Sequence, residues 1–157
     1  MHTFMIVIQI LGLILAFSAL ILILHTDVTN MQQLMSFFMI GIIIQNFGYL
    51  LELWATEPQA ALWAVKIQYL GSCWVVFFFS KFIFCYCALP LPKRMYGMLT
   101  LMNMIVFGFA WSNDQHTLFY RTSTFVTESN GYGHYIFEYG VMYYVFTIFS
   151  CAIPCIM

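Results

Sequence analysis

Glu52 and Lys66 are the two residues best placed to do something together. Glu52 stands near the end of one long apolar run and Lys66 near the start of the next, and the breaker-rich stretch Ala55 to Gln59, with Pro58 in it, separates the runs. A charged side chain inside a membrane helix costs about 2.5–3.5 kcal/mol on insertion scales, so such groups turn toward protein or water and often pair. Gln45, Gly48 and Glu52 share one helical face at i, i+3, i+7, and Lys66, Tyr69 or Leu70, and Cys73 share another at like spacing. The spacing predicts that the two faces meet and floor a small polar pocket. The alternative is that both charges reach up to the interface and only orient the hairpin between them.

Other chemistry finds less support. His2, His25, His116 and His134 fall at predicted span ends or outside them, whereas haem needs axial ligands held inside the bundle. His116, His134, Asp114, Glu128 and Glu138 share one loop, but their spacing matches no zinc pattern. No Ser/His/Asp set, glycine-rich phosphate loop or pair of catalytic carboxylates can be placed, so neither an enzyme activity, a cofactor nor a metal is expected. The five cysteines are an odd number lying mostly in apolar runs, and they read as small buried hydrophobes rather than a disulfide framework.

The elements that must position these residues are membrane helices. Hydrophobic residues make up 63% of the 157 and charged ones only 7%, against about 25% charged in a soluble domain, and mean hydropathy is +0.89. A net charge of −1 with no basic cluster gives nucleic acid no footing. At about 20 apolar residues per span, the chain has room for four or five helices and no soluble catalytic domain. The reading is an all-α integral membrane helix bundle, a single domain over residues 1–157, multi-pass in the cell membrane. Spans are expected at about 4–24, 34–54, 60–88, 95–111 and 140–157. The first lacks a basic flank and a small-residue cleavage pattern, so it is expected to be retained. Asp27, Thr29 and Asn30 are all suited to cap the second. Gln68, Gly71 and Ser72 make a small or polar stripe on the third, suited to close helix packing.

Orientation follows from the basic residues. Lys81, Lys93 and Arg94 cluster around the third-to-fourth connection, which the positive-inside rule places in the cytoplasm. That puts the N-terminus, the Pro58 turn and residues 112–138 outside. Within the last, a β-branched and aromatic run from Phe119 to Thr127 and a second from His134 to Phe137 flank Asn130 and Gly131, the signal of a β-hairpin over about 118–137. Two strands alone are marginal in water, so the hairpin should rest on the helix ends. The chain stops while still apolar, at Cys155, Ile156 and Met157, and is expected to be cut short at that end.

Four pieces in this order resemble the amino-terminal seven-helix membrane module found ahead of bacterial histidine kinases and some diguanylate cyclases. They are Tyr49 to Glu52, Lys66 to Gly71, Asn113 with His116 to Arg121, and Phe137 to Gly140. Where that family has a proline after the second piece, this chain has Ser72, Cys73, Trp74 and Val75. The resemblance implies an external N-terminus, two further helices and a cytoplasmic signalling domain in cis. The expected function is a transmembrane sensor that receives an external or membrane-borne stimulus, with the lipid bilayer and a possible second copy as its other partners. Glu52, Lys66, Tyr69, His116, Arg121 and Glu138 are the expected ligand-binding residues. A small transporter or membrane-complex subunit is the alternative, since intramembrane polar residues can mark a pathway.

Overall fold

The computed structural model of the chain describes residues 2–25, 29–90, 92–127 and 133–156, and within these every side chain except those of residues 2, 114, 133, 134 and 151–156. The order is α1 (His2–Leu24), α2 (Asn30–Leu53), α3 (Pro58–Tyr86), α4 (Lys93–Trp111), a 3-10 turn (Asn113–Gln115), β1 (Tyr120–Thr127), β2 (Gly133–Tyr139) and α5 (Val141–Ile156). Among the described residues, three helices are long and apolar enough to cross a membrane: Thr3–Leu24, Asn30–Leu53 and Pro58–Tyr86. α4 does not meet that standard, and in α5 the described apolar stretch is the shorter Val141–Ser150.

Local chemistry sets the helix ends. Of the three candidate caps, Thr29 starts α2: its Oγ1 accepts from the Gln32 amide at 3.3 Å, while Gln32 Oε1 accepts from the Thr29 amide at 2.7 Å. This is a capping box, which satisfies two donors that the helix cannot. Asp27 lies outside the described residues. α3 starts with Pro58, whose missing N–H costs nothing there, and runs unbroken through Ser72 to Val75. It ends in a Schellman turn: Leu89 N–H binds Phe84 C=O at 3.0 Å, Ala88 N–H binds Cys85 C=O at 3.2 Å, and Ala88 takes φ 54°.

The most extensive helix contact is between α2 and α3, and glycines make it. A Cβ on Gly48 would stand 2.6 Å from the Gln68 nitrogen, and one on Gly71 would stand 2.5 Å from that of Gln45. Without a hydrophobic drive between helices in lipid, the closest backbone approach and its dispersion energy select the face. The facing set on α3 is therefore Ala64, Gln68, Gly71 and Val75. This corrects the expectation that Lys66, Tyr69 and Cys73 turn toward α2. Their face turns the other way, toward α4 and the hairpin, where Cys73 is buried with Val106 and Ala110 and Tyr69 packs on the same cluster.

α4 buries Leu99, Asn103, Val106 and Ala110, one stripe at helical spacing, and packs on α3. Asn103 is 1% exposed, and neither its amide nitrogen nor its oxygen has a hydrogen-bond partner among the described residues. α1 packs on α2, and Gln9 reaches Asn46 at 3.4 Å.

β1 and β2 form an antiparallel hairpin that starts and ends about two residues later than the sequence suggests. Its expected Asn130 and Gly131 turn lies outside the described residues. Tyr120 pairs with Tyr139 and Thr122 with Glu138, so Arg121 is the extra residue of a bulge, a device that re-aims a side chain. β2 rests against α3 and α2, so the hairpin caps the helix ends.

Candidate functional site

The hairpin is held down by polar bonds at its edges and aromatic packing at its centre. Asn113, just past α4, accepts at Oδ1 from the Phe119 and Tyr120 amides, at 3.0 and 2.9 Å, and donates from Nδ2 to the Tyr120 carbonyl at 3.3 Å. One side chain thus stands in for a strand partner, filling backbone groups that would otherwise be orphaned. Farther along, the Tyr135 hydroxyl donates to the Pro58 carbonyl at 3.0 Å, pinning β2 to the first residue of α3.

Phe119 and Tyr120 then plunge into the bundle, at 0% and 7% exposure. Phe119 meets the Tyr69 ring edge-on at 4.9 Å, and Tyr120 stacks on Phe137 at 4.0 Å. The Tyr120 hydroxyl donates to that of Tyr69. Burial pushes the Tyr120 hydroxyl far above the usual tyrosine range, and its Tyr69 neighbour adds to the shift, because a phenolate here would lack water.

Between hairpin and helices lies a cavity of about 220 Å³. Lys66 and Ala110 line it from the helices, Asn113 and Thr117 from the connection, and Tyr120, Arg121, Thr122, Ser123, Tyr135 and Phe137 from the hairpin. Among the described residues that line it, none is acidic. The Lys66 ammonium lies 5.2 Å from the Trp63 ring centroid and 5.9 Å from that of Trp111, cation–π contacts that hold the stem against the wall. Arg121 is exposed at the bulge. The wall offers positive charge, hydroxyls and ring faces, a set suited to holding a molecule rather than transforming it.

The six residues expected to bind ligand do not converge. Lys66 and Arg121 line the cavity, and Tyr69 sits beneath it, reaching it through Tyr120. Glu52 lies in the α2/α3 contact, where its Oε2 accepts from Gln68 Nε2 at 2.5 Å. His116 closes its own turn: its Nε2 is 3.0 Å from Ser112 Oγ, its Nδ1 accepts from the Leu118 amide at 3.4 Å, and its ring meets Phe109 edge-on. Glu138 is exposed on β2 opposite Thr122. Glu52, His116 and Glu138 therefore do not line the cavity. Asn113, Thr117, Tyr120, Thr122 and Ser123 were not singled out as ligand contacts, although an Asn directly after a helix and before a strand is a signal of backbone bonding.

Among the described residues no group of three His, Cys, Asp or Glu stands close enough to hold a metal. Of the acidic and histidine cluster in the loop, Glu128 and the side chains of Asp114 and His134 lie outside the described residues.

Apolar helices packed through glycines, with a polar cavity gathered at one end under a ribbon, define a multi-pass membrane protein of the helix-bundle class. The model of the family described as the N-terminal 7TM region of histidine kinase matches residues 4–156. The chain belongs to that family: it is a sensor-type, non-catalytic membrane module. Membership implies a cytoplasmic signalling domain in cis. Neither a curated protein nor a solved structure matches the chain.

Proposed function

We propose that this chain is the stimulus-receiving part of a signalling protein, with its N-terminus, Pro58 turn and hairpin outside the cell. An external or membrane-borne stimulus enters the cavity under the hairpin and shifts the packing of α3, α4 and α5. A cytoplasmic kinase or cyclase domain reads that shift. On this reading α4 and α5 are the fourth and fifth spans, short because their lower and upper ends carry Lys93, Arg94 and the hairpin. The basic cluster of Lys81, Lys93 and Arg94 supports the orientation.

One observation carries the proposal: the cavity wall and the buried tyrosine pair share Tyr120. A molecule that presses on the hairpin thereby acts on α3. Reception requires that the stimulus bind two helix arrangements unequally, and a lid bonded to a helix supplies two arrangements, seated and lifted.

The orientation is tested by cysteine labelling in intact cells. In a background with Cys85→Ser and Cys87→Ser, Gln59→Cys should react with a membrane-impermeant maleimide and Leu89→Cys should not. The reverse pattern would place the Pro58 turn in the cytosol and end the receptor reading.

A further inference from the structure

A second recess runs along the flank of α2 and α3. Ile40, Gly41 and Ile44 of α2 and Leu70 and Trp74 of α3 border about 360 Å³, with Phe37 and Phe78 at one end. Those two rings stack at 5.1 Å, and they also line a neighbouring recess of about 260 Å³ whose walls include Asn30, Gln33 and Lys81. Together the two make one groove, apolar along its length and polar at the Lys81 end.

Helix packing gives the groove its shape. A Cβ on Gly41 would stand 3.4 Å from the Val75 nitrogen and 3.5 Å from the Gly71 carbonyl oxygen, so the backbones close up there and Ile40 and Trp74 stand out as rims. Its lining runs from Asn30 to Ile44 on α2 and from Lys81 back to Leu70 on α3, roughly 17–21 Å at the rise of an α-helix. Half of a bilayer's hydrocarbon core is about 15 Å. The groove therefore matches the acyl chains of one leaflet in length. Both helices are long and apolar enough to cross the membrane, so the groove lies at the depth of lipid tails, where an unfilled gap would forfeit dispersion contacts.

At the polar end, the Lys81 ammonium lies 4.6 Å from the Tyr96 ring centroid and 5.6 Å from that of Phe77, contacts that fix its stem near the end of α3. An ammonium donates, and the carboxamides of Asn30 and Gln33 both donate and accept. This end thus offers donors to a phosphate whatever the net charge of the head attached to it.

We infer that the α2/α3 groove holds one membrane phospholipid, an acyl chain lying along Phe37, Ile40, Ile44 and Trp74 and the phosphodiester at Lys81, Asn30 and Gln33. The site is separate from the cavity under the hairpin and does not depend on what enters there.

The test weighs the full-length protein, purified in mild detergent, by native mass spectrometry before and after titration with phosphatidylglycerol, phosphatidylethanolamine or diacylglycerol. One phospholipid per chain should stay bound. Either phospholipid should bind at least about tenfold more tightly than diacylglycerol, the scale of one hydrogen bond to a charged group. Lys81→Gln should reduce that preference and Lys81→Arg should keep it. Ile40→Trp fills the groove from a rim that is 40% exposed and should displace the lipid, whereas Ile14→Trp, on an exposed position of α1, should not. The Lys81 comparison stands even where a Trp variant fails to fold. Equal retention in Ile40→Trp and Ile14→Trp would put the lipid elsewhere and overturn the inference, as would diacylglycerol binding as tightly as the phospholipids. A two-chain mass that Ile40→Trp splits would assign the groove to a second copy and overturn it too. So would the absence of any retained phospholipid, the groove then being covered by another part of the protein.

Discussion

Tyr120 donates its hydroxyl hydrogen to Tyr69, joining the first residue of β1 to the N-terminal half of α3 within a cluster of rings. The bond matters because Tyr120 is buried and Tyr69 half-buried, so breaking it leaves a polar group poorly solvated. Tyr69→Phe and Tyr120→Phe should each destabilise the protein by about 1–3 kcal/mol. The double variant should lose clearly less than the sum of the two, since it strands nothing. Thermal unfolding of all four proteins in nanodiscs completes the cycle, and simple additivity would show that the two hydroxyls do not depend on each other.

The same burial gives an alkaline limit. Tyr120 holds its proton more tightly in the folded state than the unfolded chain does, its ordinary value being 10.0. The native state thus carries the extra proton, and stability is full below that value and falls as pH rises above it. Melting temperature followed from neutral to strongly alkaline pH should decline in the wild type and decline less in Tyr120→Phe. Equal slopes would mean the hydroxyl is not sequestered.

Glycine substitutions should separate contact from helix propensity. Gly48→Ala and Gly71→Ala push a methyl into opposing backbone at 2.6 and 2.5 Å and should each cost about 1–3 kcal/mol through overpacking. Gly97→Ala, with nothing within 4 Å of its new carbon, should be neutral or stabilise by about 0.5–1 kcal/mol. Unfolding by denaturant distinguishes the sets, and a uniform effect would refute the close α2/α3 approach.

Ala88 is a gain waiting to be made. Its φ of 54° is left-handed, which costs an ordinary residue roughly 1–2 kcal/mol and glycine almost nothing. Ala88→Gly should raise the melting temperature without altering ligand binding at the far end of α3. A lowered melting temperature would mean the Schellman turn does not form.

Helices and hairpin were legible because apolar length and alternation are local properties, written in adjacent residues. The family was legible through the runs around Glu52, Lys66, Asn113 and Glu138. What failed was the choice of face on α3. Lys66, Tyr69 and Cys73 matched the polar set on α2 in chemistry, but the helices meet where Gly48 and Gly71 let them come closest, at the small-residue stripe whose composition does signal close packing. His116 looked like a ligand because a single chain does not say which polar residue is consumed by its own turn, and Glu138 because it does not say which strand residue stays exposed away from the cavity. Asn113 shows the converse: its three bonds to Phe119 and Tyr120 depend on where the strand comes back, which no spacing rule records.

Gly140 sits between β2 and α5 with its N–H on the Phe119 carbonyl at 2.8 Å, and a Cβ there would meet the Leu118 carbonyl oxygen at 2.2 Å. No slack chain therefore separates ribbon from helix. Any tilt of the ribbon must turn the top of α5 with it, as a crank turns its shaft.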